Sequence, residues 1–325
     1  MGSRRHCFLD CLRLVASQVE ETIMDFADLL CSEECVETLL NQSHSPALSK
    51  AEWTGQTAVE GRNKVSQAET FTELLSLGSK QMSHWVGHML AHQRCAVEAK
   101  ERTLAVEWLQ HLRELHSLRW QTFGVAVNLL DRFLVNSFGF PVNLLGLAAT
   151  AAMMVATKME EVDPPPFHSF FSCCMGRFSR DTLAKMEVNL LQVLKWEATA
   201  VTPYHFADTI LHAYGQALVS TSDTRGQSST MFREELFEII ARTMTEDEFL
   251  CYLPSVIAFG ALKALARHMR LDTHVIEGEL YRFNVERHRW QDVEACCRML
   301  ENNVLFHYRR AQSPRGHFES THEFE

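Results

Sequence analysis

The chain has 325 residues, 46% of them hydrophobic, and carries a formal charge of −10 with a pI near 5.9. That length holds two domains of ordinary size, and the apolar content supports packed cores rather than disorder. The acidic balance excludes nucleic acid as the main partner, because phosphate binding needs a basic face.

Residues 1–40 place Leu9, Leu12, Val15, Val19, Ile23 and Phe26 at helical spacing, which predicts one or two short amphipathic segments. Asp10 and Arg13 break the apolar run behind the basic start, so it makes a poor signal peptide. His6 stands where a myristoylation signal needs Ser or Thr. Residues 41–70 lose the period and collect Ser43, Ser45, Pro46, Gly55 and Gly61, the composition of a linker. From Phe71 onward helix follows helix, and strand signals almost vanish. Leu104, Ala105, Trp108, Leu109, Leu112 and Leu115 share one helix face, and Phe123, Ala126, Val127, Leu130, Phe133 and Leu134 mark the next.

The third helix, over 144–161, is uncharged from Leu144 to Thr157 and rich in small residues such as Gly146, Ala148, Ala149, Ala151 and Ala152. A helix apolar all round is one that neighbours surround. Its uncharged run is about 21 Å long, short of the roughly 20 residues of a membrane span. It therefore reads as the central post of a bundle, and no membrane-crossing segment is expected. It ends in Lys158, Glu160 and Glu161, followed by Pro164, Pro165 and Pro166. A short helix is expected over 167–173. Ser179 then caps a fifth helix through Leu183, Met186, Leu190 and Val193.

A second set follows. Pro203 opens a helix through Phe206, Ile210 and Leu211, residues 220–230 form a polar loop, and 232–244 are helical. Residues 253–262 repeat the proline entry and Ala/Gly-rich run of the central helix; Pro141 and Pro254 stand 113 residues apart, about one small domain. Helices over 273–283 and 290–309 complete the set. The expectation is an all-α chain of two tandem five-helix units, with an N-terminal extension and a short polar tail.

Signs of catalysis are missing. None of the ten cysteines has the two-residue knuckle spacing of a zinc site, so they read as free thiols, and no metal or other cofactor is expected. His84, His88 and His92 share a helix face without a matching carboxylate, which reads as a surface stripe. There is no nucleophile elbow, phosphate loop or dinucleotide fingerprint. Glu160 and Glu161, adjacent on a helix, point about 100° apart and do not form paired acids. The protein is expected to work by contact rather than by catalysis.

Four runs stand in an order and spacing that resembles the cyclin box: RTLAVEWL (102–109), VAVNLLDRFL (125–134), LLGLAATAAMMVATKMEEVDPP (144–165) and LAKMEVNLLQVLKWE (183–197). The resemblance makes 81–200 an N-terminal cyclin box and 201–310 the C-terminal cyclin fold. Residues 1–80 become the extension, and 311–325 a tail expected to be disordered. LKWEATAVTPYHFADTIL (194–211) is similar to the D-type (G1) cyclins.

What the resemblance implies is a regulatory subunit that binds and activates a cyclin-dependent kinase in G1/S control, in the nucleus and cytoplasm. By matching position, Arg102 and Asp131 form the ion pair inside the box, and Lys158 and Glu187 grip the kinase with Met159 and Trp196 beside them; the alternative for Lys158 and Glu187 is an ion pair with each other inside the chain. The family's substrate-docking patch falls on Leu104, Ala105 and Trp108, although Glu101 stands where Met is usual. Leu29, Cys31 and Glu33 match LxCxE, the motif that docks a retinoblastoma-type pocket protein as an extended strand. Kinase inhibitors are further expected partners. Two other classes compete: an atypical cyclin-box scaffold that activates no kinase, and a transcription-related cyclin fold, which the acidic balance disfavours.

Overall fold

The computed structural model of the chain describes residues 67–84, 97, 99–137, 139–174, 176–220, 229–271, 274, 277, 278 and 287–305. These residues are helical or connecting, with no strand among them. α1 (Gln67–His84) precedes a first unit of five helices: α2 (Ala99–Leu115), α3 (Trp120–Asn136), α4 (Leu145–Glu160), α5 (Phe167–Cys173) and α6 (Arg180–Val193). A second unit follows with α7 (Pro203–Ser220), α8 (Ser229–Thr245), α9 (Pro254–His268) and α10 (Arg287–Met299). Of the helix expected over 273–283, only 274, 277 and 278 are described, and all three are helical.

α4 is the post of the first unit. Every residue from 145 to 157 is buried, and the helix packs most extensively on α3, then on α6 and α2. The post starts earlier than its periodicity suggested, because a 3-10 turn (Val142–Leu144) entered from Pro141 feeds directly into it. The joined run Val142–Glu160 has 19 residues and a hydropathy of 1.4, long and apolar enough to cross a membrane. That corrects the expectation that no segment reaches this length. Burial decides its role: 78% of its apolar window lies inside the protein, so other helices take up its surface where lipid otherwise would.

Helix ends follow local chemistry. Ser179 accepts the Thr182 backbone N–H at 3.1 Å and starts α6. α4 stops at Glu161, whose backbone is extended ahead of the three prolines. Pro254 occupies the first turn of α9, where a missing N–H costs least. α7 and α8 both reach into the polar stretch expected as loop: Ser220, Ser229 and Thr230 are helical.

α9 repeats the role of α4 in the second unit, buried from 254 to 266 and packed on α10, α7 and α8. The two units meet through an aromatic seam. Trp120 of α3 stacks on Tyr204 of α7 at 5.7 Å, and Phe237 of α8 meets Tyr204 edge-on at 5.4 Å. The Arg113 guanidinium lies over the Trp120 ring, 3.6 Å from its centroid. Gly124 is required here: a Cβ would come within 2.7 Å of Tyr204 Cδ2. α1 packs chiefly on α7 and α9 of the second unit rather than on the unit that follows it in sequence. There Gln81 Oε1 accepts the Ser255 N–H at 3.1 Å, capping the buried start of α9.

Candidate functional site

The charged tip of α4 splits in three directions. Glu161 turns back to the start of α3, where its carboxylate accepts the Arg119 backbone N–H at 2.9 Å, the Arg119 side chain at 3.3 Å and the Thr122 hydroxyl. A carboxylate is favoured there by the helix dipole. Glu160 faces His205 Nε2 of α7 at 3.8 Å. The two acids thus serve separate partners, and both fasten the tip.

Lys158 takes the third direction. Its ammonium pairs with Glu187 of α6. The pair is lopsided, since the Lys158 side chain is 55% exposed and that of Glu187 only 15%. Large apolar side chains stand in the open beside these two in sequence: Met159 follows Lys158, and Val188 follows Glu187. Val162, just past the tip, is almost fully exposed. Val188 and Val162 carry no sequence signal of their own, since an apolar residue on an amphipathic helix reads as core.

Among the described residues Trp196 is the most exposed tryptophan, at 58%. It and Lys195 both occupy the left-handed region, with φ of 64° and 53°. For residues with a Cβ this costs about 1 kcal/mol or more apiece. The geometry is held by the last turn of α6, where Trp196 N–H donates to Leu191 O at 2.8 Å and Lys195 N–H to Gln192 O at 3.0 Å. A strained turn therefore holds a large indole out into solvent.

Arg102 and Asp131 meet inside the fold. Nε and the second terminal nitrogen of the guanidinium donate to the two carboxylate oxygens at 2.8 and 2.9 Å. Both side chains are 5% exposed. Burial works against the Arg102 charge, but Asp131 and Asp247 outweigh it and hold its pKa above the ordinary value. The remaining arm crosses to the second unit, donating to Met244 O at 3.0 Å and Asp247 Oδ1 at 3.4 Å. Thr103 adds a bond to Thr245 O at 3.0 Å. This crossing was invisible in the sequence, because nothing local marks a partner 142 residues away.

On α2, Ala105 is fully buried and Trp108 nearly so, its indole N–H donating to Thr150 Oγ at 3.0 Å, while Leu104 is half-buried. Leu29, Cys31 and Glu33 lie outside the described residues, as do His88 and His92. Cys173, Cys174, Cys251, Cys296 and Cys297 are free, and burial pushes the Cys174 and Cys297 thiols up to about 12.

Two repeated helical bundles thus carry a paired charge and bare apolar side chains at the end of a buried post. Residues 74–199 match the family model "Cyclin, N-terminal domain", and 201–323 match "Cyclin, C-terminal domain". The chain belongs to the cyclin family. It is 26% identical over 239 residues to the G1/S-specific cyclin-E1 of Mus musculus, covering 70% of this chain and 55% of that one. To Cyclin-A1 of Homo sapiens it is 36% identical over 160 residues, 49% of this chain and 32% of that one. The chain thus spans about half the length of cyclin-E1 and a third of Cyclin-A1. A viral cyclin from herpesvirus saimiri shares the fold with a TM-score of 0.54 at 16% identity, over 70% of this chain and 96% of the viral one.

Proposed function

We propose that this chain is the non-catalytic regulatory subunit of a cyclin-dependent kinase, acting in G1/S control and held to the kinase at the tip of α4. The observation that carries the reading is the lopsided Lys158–Glu187 pair, with Met159 and Val188 beside it in sequence and Trp196 held out beyond α6. Exposed aromatic and apolar anchors with a polar pair are the anatomy of a binding hot spot. Activation follows from differential affinity: a subunit that binds only the kinase conformer with its regulatory helix turned in and activation loop ordered shifts the population toward it.

The D-type reading rests on the 194–211 segment and on Leu29, Cys31 and Glu33. Through that motif the chain brings a retinoblastoma-type pocket protein to the bound kinase, where tethering raises effective substrate concentration. Nuclear and cytoplasmic residence belongs to the same reading.

Lys158→Ala combined with Glu187→Ala is expected to abolish kinase co-purification while leaving the helical content unchanged. A folded double variant that still binds sinks the interface. Cys31→Ala leaves kinase binding intact and weakens pocket-protein binding. A reconstituted kinase assay separates this reading from a scaffold, which binds without raising turnover.

A further inference from the structure

At the seam between the units lies a cavity of about 80 Å³. It is not a packing fault of either core. Gly124 and Val127 of α3 form one wall, Met244 and Phe249 of the second unit another, and the connecting residues Val201, Thr202 and Pro203 close a side. At about 10–15 Å³ for each water-sized group, the space holds about six heavy atoms. It opens to solvent, and Leu250 and Tyr252, both half-buried, are among the residues that line it.

Among the polar side chains that line it, Arg102, Asp131, Thr202 and Thr243 are already engaged. Arg102 is bonded to Asp131, Met244 and Asp247. The Thr202 hydroxyl meets His205 Nδ1 at 2.8 Å, and that of Thr243 donates to Ile240 O at 2.7 Å. A charged or strongly polar guest would lose its hydration and recover little from these groups. An apolar guest would exchange water for Val127, Met244, Phe249 and Ile257. The close approach of α3 to Tyr204 at Gly124 fixes the wall in packed backbone, so the shape does not depend on a loose side chain.

We propose that the seam cavity is a binding site for a small uncharged apolar molecule, a six-membered ring or a branched aliphatic group of that size, which wedges the two units together. Because its walls come from both units, occupancy stabilises their mutual arrangement and not one core alone.

The test is thermal unfolding of the full chain titrated with benzene, and with benzoate as the charged counterpart. Benzene should raise Tm saturably, by about 3 °C at tenfold excess over its Kd; benzoate should not. Amide exchange over 243–257 should slow with benzene. Val127→Phe fills the cavity and should abolish the benzene shift; Ile257→Phe fills it from the opposite wall if the first variant does not fold. No shift with benzene, an equal shift with benzoate, an unchanged shift in a folded filled variant, or protection confined to other segments would each overturn the proposal.

Discussion

α4 and α9 each begin behind a proline, run through small apolar residues and sit at the centre of a unit, yet they treat charge in opposite ways. Position 150 of α4 and position 263 of α9 are 113 residues apart, the same offset as Pro141 and Pro254. At the first stands Thr150, whose hydroxyl takes the Trp108 indole N–H and gives its own proton to Gly146 O at 2.8 Å. At the second stands Lys263, 1% exposed, paired with Glu294 and, at 3.0 Å, with Glu277, and lying 4.5 Å from the Trp290 ring centroid. Arg267, one turn on, adds Glu294 at 3.5 Å and Glu301 at 3.6 Å. The first post is dry along its length and keeps its lysine for the open end, whereas the second buries its lysine between two acids, Glu294 of α10 and Glu277. One arrangement leaves an ion pair where another protein can reach it. The other clasps a terminal helix to its own core, and a cation in mid-core is tolerable only with such partners.

Moving the second helix's choice into the first should produce the largest effect. Thr150→Lys puts an ammonium against an indole N–H in place of a carboxylate, and about 4 kcal/mol or more of stability should be lost. Urea unfolding monitored by circular dichroism reads this as a collapse of the midpoint. Next comes Lys263→Ala, which leaves Glu277 and Glu294 facing a void and should cost about 3 kcal/mol. Lys263→Met with Glu294→Gln should regain most of it, and a double variant as weak as the single one would mean that the ion pairs themselves, rather than lost packing or a stranded charge, set the cost.

The clasp also predicts a pH dependence. Burial pushes the Glu294 carboxyl up, but Lys263 and Arg267 more than offset it and hold the group below its ordinary value of 4.5. A depressed carboxylate contributes stability that is fully present above the ordinary value and lost as pH falls through the folded one. The Tm difference between the native chain and Glu294→Gln should therefore be constant at neutral pH and shrink below about pH 4.5. A difference that grows on acidification would contradict the assigned pairing. Smallest in stability is Lys158→Ala, at under about 1 kcal/mol, since exposed pairs contribute little. Its Tm should barely move while kinase pull-down fails, the reverse of the Lys263 result.

Much of this comparison was readable from residues alone. Period 3.6, the proline entries and the Ser179 cap act locally, so their consequences appear in the sequence around them. The uncharged run of α4 announced its burial, though not its 19-residue reach, because a 3-10 turn leaves no periodic signature. Lys158 and Glu187 came from resemblance, with a pair between them as the alternative reading, and the packing of α4 on α6 makes that pair. Long-range polar contacts stayed hidden. Neither the third arm of Arg102 nor the Glu161–Thr122 bond follows from spacing, since each depends on how whole helices are set side by side.

The place of α1 bears on how the chain is made. Gln81 leaves the ribosome before any helix of the first unit, while Ser255, whose N–H it caps, is 174 residues behind it. At 5–20 residues per second that gap lasts roughly 10–35 s. During that time the first unit can complete its core, but α1 has no α9 to dock on. Its cap closes only once the second unit's post exists, so the first of the described helices to be synthesised is among the last to find its seat.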